Sequence, residues 1–396
     1  MSSALVTRRR MLGLATAAAG LAGAALTGCG SNPGATASGR VTAPPPAGVL
    51  GVNVDQNLSA TNFAELRAVW ATWLRGFYPM QDADQGDVAG QQAMQKLLAA
   101  VSQGYGTVLN LKFDYPHGLP AAGSAELNVA FQRLDKVLAV VMGEVDILVV
   151  GNEPFYECGR KTANLNAFYE ALAQHTIDYR NQRARTAGKT RIYLGALTDL
   201  EDSRSRNALT DRWLEFVRNT PSVAGTDCHP HVASLTDAQQ YLDYIVPRLR
   251  PGQKFLATEF SLVKLYKQHL KDPVPTGFAD SYRIPRGTLV WQFVREAIAR
   301  PIPEREWNDF LLACPWFADT KQFLTDTVGN FRRTGRCAVA ACALTQAAPM
   351  VQDFGPAKPP WVFNTLFCPR TVQPGADGVP GQNLTWTGEF RPLQQG

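Results

Sequence analysis

Two glutamates come at the ends of apolar runs and have the chemistry of an acid–base pair. Glu153 follows the run DILVVGN and stands directly before Pro154, and Glu259 follows the run KFLAT. Hydrolysis of a glycosidic bond requires two carboxyl groups across a polar cleft. One must be protonated to give a proton to the leaving oxygen, and the other must be ionised to attack the anomeric carbon or to activate water. Glu153 and Glu259 are therefore the candidate catalytic residues.

Polar residues at the ends of other runs are candidates for binding a substrate beside this pair. Arg75 and Tyr78 lie in the run TWLRGFYP, and Asn152 directly precedes Glu153. A cation such as Arg75 would favour the ionised form of Glu259. The side-chain amide of Asn152 could donate a hydrogen bond to a sugar hydroxyl.

Two histidines, His229 and His231, end the run VAGTDCHPH. We expect them to hydrogen-bond the substrate or to orient a catalytic glutamate. Together with Asp227 they could instead hold a zinc ion, since histidine and carboxylate ligands form such sites. The run offers no further histidine as a ligand, so a site without a metal ion is the favoured interpretation.

Eight short apolar runs must position these residues. Between the runs lie amphipathic stretches whose apolar residues recur at steps of three and four, as in helices. Short, continuously apolar strands that alternate with helices are typical of a parallel sheet. Eight such units over about 320 residues predict a (β/α)8 TIM barrel, in which the C-terminal ends of the strands share one mouth. The runs cover residues 49–54, 72–79, 107–113, 145–151, 191–197, 223–229, 254–260 and 336–344.

The competing architecture is a doubly wound open sheet that binds a nucleotide cofactor. It would need a glycine-rich turn after the first strand, where this chain has DQNLSA. The sequence contains no GxGxxG, Walker A or GxSxG motif, so we predict no organic cofactor. The seventh and eighth runs are separated by about 75 residues with helical patterns, which predicts a helical insertion there.

The first 29 residues have the pattern of an export signal. Arg8, Arg9 and Arg10 precede an Ala/Gly/Leu-rich segment, an arrangement that resembles a twin-arginine signal. The sequence LTGC, ending at Cys29, resembles a bacterial lipobox, and the segment is too weakly apolar for a spanning helix. We expect lipidation at Cys29 and a protein exported to the cell envelope. The predicted organisation continues with a flexible linker over 30–47, a catalytic domain over 48–370 and a meandering surface tail over 371–396.

Charge and cysteine content exclude some classes of protein. The net charge is +5, and the three consecutive arginines supply much of it, so a concentrated basic face for nucleic acid is not expected. Six cysteines follow Cys29, an even number that permits disulfides in an exported protein. We predict at most one bridge, with buried free thiols as the alternative. No protein partner is implied.

The motif Asn152-Glu153-Pro154 after the fourth run and Glu259 after the seventh resemble clan A of the glycoside hydrolases, the 4/7 superfamily of (β/α)8 enzymes. The resemblance implies that Glu153 is the acid/base and Glu259 the nucleophile of a retaining double displacement. It also implies a β-linked oligo- or polysaccharide as substrate, contact of Asn152 with the sugar 2-hydroxyl, and Arg75 beside the nucleophile.

The sequence departs from this clan at two places. His229-Pro230-His231 replaces the His-x-Tyr of many members, and the eighth run ends Leu344-Thr345-Gln346, without the usual tryptophan. Trp361, or Trp316 from the insertion, is the candidate for the missing sugar platform. The departures leave open a non-catalytic carbohydrate-binding lipoprotein on the same scaffold, although a pure binder would not need both glutamates.

Overall fold

A computed structural model describes residues 46–394, except for 56, 160, 184–187 and 377. The predicted signal peptide, the lipidation residue Cys29 and the linker as far as residue 45 lie outside the described residues. Among the residues that are described, no helix is both long and apolar enough to cross a membrane.

In the described chain, eight parallel strands form a closed barrel in the order of the sequence. The predicted (β/α)8 barrel is therefore confirmed. Pairing of β1 with β8, from Val49 opposite Val339 to Asn53 opposite Ala343, closes it. The strands are β1 (Val49–Asn53), β2 (Trp73–Pro79), β3 (Gly106–Lys112), β4 (Ile147–Val150), β5 (Arg191–Thr198), β6 (Val223–His229), β7 (Lys254–Ala257) and β8 (Cys337–Ala343).

Two apolar layers hold the barrel together. One is a small cluster that includes Val108, Ile147, Val149 and Leu256. The other is a much larger cluster that joins the strands to the helices. All four residues of β4 are fully buried, because a parallel sheet covered by helices buries both faces of its strands. This explains why the sequence of β4 is apolar at every position, with no alternating polar residues.

Helices surround the barrel, and several begin at side-chain caps such as Ser124 and Ser234. Those before β7 are Phe63–Ala68, Gln92–Ser102, Ala125–Val141, Pro154–Glu157, Leu165–Gln182, Ala208–Asn219 and Leu235–Ile245. Those after β7 are Val263–Gln268, Thr276–Tyr282, Val290–Ala299, Glu304–Ala313, Pro315–Ala318, Phe323–Arg333, Ala348–Val351 and Leu384–Leu393.

The segment between β7 and β8 is helical, as the sequence predicts. Its helices from Val263–Gln268 to Phe323–Arg333 pack into the core formed by the larger apolar cluster. In this core Trp307 is fully buried, and its ring stacks at 5.9 Å from Phe363, which follows β8. The insertion is thus packed against the last segment of the domain.

The C-terminal residues differ from the expected surface tail. The helix Leu384–Leu393 buries Trp386 and Phe390, and the Trp386 indole N–H donates to the Phe363 carbonyl at 2.7 Å. Asn383 caps this helix by accepting from the Trp386 backbone N–H at 3.3 Å. Residues 384–393 therefore belong to the packed domain.

The described cysteines form no disulfide. Cys158, Cys228, Cys314, Cys337, Cys342 and Cys368 are all buried, and none is bridged to another of the described residues. The alternative of buried thiols without a bridge therefore describes this part of the chain.

Candidate active site

The C-terminal ends of the strands open into a cavity of about 320 Å³. Glu153 and Glu259 both line it, so the barrel brings the two predicted catalytic residues together. One carboxylate oxygen of each glutamate lies within 4.8 Å of the other. Asn152, His231 and Trp361 line the same cavity.

Arg75 on β2 is the centre of the hydrogen-bond network below the cavity. Its side chain is only 1 % exposed, and Nη1 donates to Glu259 Oε1 at 2.5 Å. Nη1 also donates to Asn53 at 2.9 Å, Nη2 donates to Asn152 at 2.6 Å, and Nε donates to Asn110 at 3.0 Å. These acceptors fix the guanidinium in one orientation, in which it faces Glu259.

Glu259 is surrounded by cationic or hydrogen-bonding groups. Besides Arg75, His229 Nδ1 lies 3.7 Å from Oε1, and His231 Nε2 lies 3.5 Å from Oε2. Burial alone would raise the pKa of Glu259, but the charges of His229 and Arg75 hold that pKa well below its usual range. Glu259 is therefore ionised at neutral pH.

His229 is a buried imidazolium. Its Nε2 lies 2.9 Å from Thr258 Oγ1, whose hydroxyl donates to Asp227 Oδ2 at 2.5 Å. Because that hydroxyl donates to Asp227, Thr258 Oγ1 accepts a hydrogen bond from the His229 Nε2–H. The other nitrogen, Nδ1, faces Glu153 Oε1 at 3.1 Å. Burial opposes the charge on His229, but the carboxylates of Glu259, Asp227 and Glu153 raise its pKa to about 10.

The zinc alternative fits this arrangement poorly. Asp227 is fully buried on the Nε2 side of His229, whereas His231 lies on the other side, next to Glu259. A different set, formed by Glu153, His229, His231 and Glu259, offers atoms within 4.8 Å of one another. In that set His229 would bind an ion through Nδ1, in place of the proton that this nitrogen shares with Glu153 Oε1 at 3.1 Å.

Glu153 is positioned by a second glutamate that the sequence analysis missed. The buried Glu157, one turn further on in the helix Pro154–Glu157, accepts from the Glu153 backbone N–H at 3.0 Å. Its other oxygen accepts from the Phe113 backbone at 3.2 Å and from the Tyr169 hydroxyl at 3.0 Å. Burial raises the pKa of Glu157 to about 7. The feature of the sequence that could have indicated this role is the spacing of four residues between Glu153 and Glu157.

Asn152 and Trp361 lie where the sequence places them. The Asn152 side-chain oxygen Oδ1 accepts from Arg75, which leaves the side-chain NH2 group to donate into the cavity. The ring of Trp361 is half-buried and meets His231 edge-on at 4.7 Å between centroids. The alternative platform, Trp316, instead packs in the insertion against Tyr266.

Tyr78 does not line the cavity. It is 1 % exposed, and its hydroxyl donates to Gln91 Oε1 at 2.7 Å, outside the barrel. Successive residues of a strand point to opposite faces. Because Arg75 faces the inside, Phe77 does too, and Phe77 lines the cavity where Tyr78 was expected.

Asp55 is a further cavity residue that the sequence analysis missed. It follows β1 with a left-handed φ of 51° and accepts from Asn53 Nδ2 at 2.5 Å. Its carboxylate lies 4.0 Å from Arg75 Nη1. Burial and the neighbouring charge of Glu259 raise the pKa of Asp55 to about 6. The sequence gives no local pattern for such a turn.

Comparison with known proteins shows similarity in fold. No protein-family model matches the chain, and no curated protein matches it significantly. Among solved structures, a thermostable mutant of a xylanase (Xyn10A) from Cellvibrio japonicus superposes with a TM-score of 0.51 at 14 % identity, over 89 % of this chain and 99 % of the xylanase. A GH10 structure from Paenibacillus barcinonensis gives a TM-score of 0.52 at 10 % identity, over 87 % of this chain and 95 % of the other. The chain therefore has the (β/α)8 fold of these glycoside hydrolases.

Proposed function

We propose that this protein is a retaining glycoside hydrolase in which Glu259 is the nucleophile and Glu153 the acid/base. The observation that carries the proposal is the position of Glu259, which is partly buried, bound by Arg75 at 2.5 Å and within 4.8 Å of an oxygen of Glu153. Retaining enzymes have carboxyl groups about 5–5.5 Å apart, whereas inverting enzymes need about 6.5–9.5 Å to admit a water. The short separation supports direct attack by Glu259.

The proposed reaction has two steps. First, a Glu259 oxygen bonds to the anomeric carbon, the glycosidic C–O bond breaks, and Glu153 transfers its proton to the leaving oxygen. Then Glu153 removes a proton from water, the water oxygen bonds to the anomeric carbon, and the bond to Glu259 breaks. The His229 Nδ1–H, at 3.1 Å, can donate to the carbonyl oxygen of protonated Glu153 and leave the acid proton for the leaving oxygen. No step needs a metal ion or an organic cofactor.

A β-linked oligo- or polysaccharide is the proposed substrate. The resemblance to clan A supports it, and one structural neighbour is itself named a xylanase. We further propose that the enzyme acts in the cell envelope, tethered by a lipid on Cys29. The basic run at Arg8 and the LTGC sequence support that location. Loss of lipid incorporation in Cys29→Ser is the expected result.

The decisive experiment measures sugar release by residues 48–396 from a panel of β-glucans, mannans, galactans, xylans and bacterial exopolysaccharides. Glu153→Gln and Glu259→Gln should each lose at least about a hundredfold in rate. Glu215→Gln, an exposed position on the helix Ala208–Asn219, is the matched control and should keep full activity. EDTA should have no effect, and NMR of the first product should show retention of the anomeric configuration.

Other outcomes would select other functions. Loss of activity with EDTA, together with activity in Glu259→Gln, would favour a metal-dependent hydrolase. Retention of one glycan by a wild-type protein that cleaves nothing would favour the carbohydrate-binding lipoprotein.

A further inference from the structure

The cleft continues past the catalytic pair on the side away from Glu259. A second cavity, of about 430 Å³, shares Glu153, His231 and Trp361 with the first, but Glu259 does not line it. In the proposed function the nucleophile contacts the sugar that is retained, and the proton donor contacts the leaving oxygen. The second cavity is therefore on the leaving-group side.

Tyr156 is the notable residue of this side. It lies on the helix Pro154–Glu157, and it is 58 % exposed although its ring is large and apolar. Its hydroxyl hydrogen-bonds Asp199, which also accepts from Lys264 Nζ at 2.6 Å. Asp199 lies just after β5 with a left-handed φ of 55°. The network fixes the Tyr156 ring while leaving it open to solvent.

A third cavity, of about 630 Å³, continues the cleft beyond Tyr156. It shares Tyr156, Thr198 and Asp199 with the second cavity. A chain of sugar units that leaves the catalytic pair through both cavities must therefore pass the Tyr156 ring. A tyrosine held in place gives a large contact area at little cost in conformational entropy.

We propose that the leaving group is an oligosaccharide of at least two sugar units, which packs against Tyr156 between the second and third cavities. The proposal rests on the proposed function and makes it more specific. Tyr156 would then be a binding residue that selects long substrates over short ones. Glu157, rather than Tyr156, anchors the backbone of Glu153, so loss of the Tyr156 ring leaves the anchor of the acid/base intact.

The test compares kcat/KM for 4-nitrophenyl β-glycosides with kcat/KM for cello-, manno-, xylo- and laminari-oligosaccharides of two to six units. In Tyr156→Ala the ratio of the long to the short substrate should fall about tenfold, equivalent to about 1.4 kcal/mol. Tyr156→Phe keeps the ring but loses the bond to Asp199, so it should lose much less. Trp70→Ala removes another exposed aromatic residue, 52 % exposed and before β2, and should leave the ratio unchanged.

Three results would overturn the proposal. They are an unchanged ratio in Tyr156→Ala, an equal fall in Trp70→Ala, and a wild-type kcat/KM that does not increase with chain length. Each of these leaves the glutamate mechanism standing if Glu259→Gln is inactive on the aryl glycoside. A wild-type protein that cleaves neither these probes nor any polysaccharide of the panel would overturn both the mechanism and the Tyr156 proposal.

Discussion

Replacement of Arg75 by methionine is the sharpest test of the charge network. Methionine has a similar length but donates no hydrogen bond. The substitution leaves the partly buried Glu259 carboxylate without its 2.5 Å partner, and it removes the donor to the side-chain amide oxygens of Asn53, Asn110 and Asn152. Breaking a buried pair by removal of one partner costs about 3–5 kcal/mol. We expect the free energy of unfolding at pH 7 to fall by about that amount.

The same substitution should change the pH dependence of activity. Burial raises the pKa of Glu259, and the charges of His229 and Arg75 lower it. Without Arg75 the pKa must rise, so the acid limb of kcat/KM, which reports on the free enzyme, should move to higher pH. Each pKa unit of that shift corresponds to about 1.4 kcal/mol of lost interaction with the ionised form. His229 remains in the variant, so the shift should be partial.

A double-mutant cycle separates the ion pair from general damage. Chemical denaturation would be measured at pH 7 for the wild type, Arg75→Met, Glu259→Gln and the double variant. In the double variant Glu259 is neutral, so Arg75→Met no longer leaves a charged group without a partner and should cost less than in the wild type. We therefore expect a coupling energy of about 2–3 kcal/mol, near the upper end for contacting residues. A coupling energy near zero, with an acid limb that does not move, would refute the ion pair as the cause of the low Glu259 pKa.

Three further predictions concern buried groups. Both oxygens of Glu157 accept from backbone N–H groups, one of Glu153 and one of Phe113, so in Glu157→Gln the side-chain NH2 must face one of these donors. The substitution should lower the free energy of unfolding by about 1–3 kcal/mol and reduce kcat more than it changes KM; an unaltered kcat would remove Glu157 as a positioning residue. His229 has a pKa of about 10 in the fold and about 6.5 when unfolded, so its stabilising charge is fully present below pH 6.5 and is lost as pH rises through 10. The wild type should therefore lose stability relative to His229→Gln over that range, measured by denaturation at each pH, and parallel curves would contradict the imidazolium assignment. Finally, the described cysteines are buried and form no disulfide with one another, and burial raises the pKa of Cys337 to about 12; DTNB should label them only after denaturation, and a reductant should leave the melting temperature unchanged unless a disulfide is present.

The strands were predictable because each one is an apolar run with clear ends. The predicted run 145–151 contains the observed β4, Ile147–Val150, and the predicted run 223–229 coincides with β6. In a closed parallel barrel all C-terminal strand ends meet at one mouth. The proximity of Glu153 and Glu259 therefore followed from the strand order, without any information about their side chains.

The site and tail residues that the sequence did not predict depend on which face of a strand a side chain lies on, on turns and on distant contacts. Tyr78 was expected in the cavity, yet the period of two along β2 assigns that place to Phe77 once Arg75 is known to point inward. Asp55 reaches the cavity through a left-handed turn that no local pattern marks. The helix Leu384–Leu393 follows a Pro/Gly-rich stretch, and its packing depends on the distant Phe363 carbonyl.

The charges of the site are arranged unequally around the two glutamates. Arg75 and His229 both face Glu259, whose side chain is 16 % exposed, whereas Glu153 contacts His229 and is 27 % exposed. Removal of two charged groups from water costs several kcal/mol for each ion before any attraction between them is counted. A protein that only binds sugar hydroxyls does not need buried charges, because neutral amides such as that of Asn152 both accept and donate hydrogen bonds. A nucleophile that must be ionised at neutral pH does need cations beside it, and the inequality favours Glu259 for that role independently of any resemblance to a family.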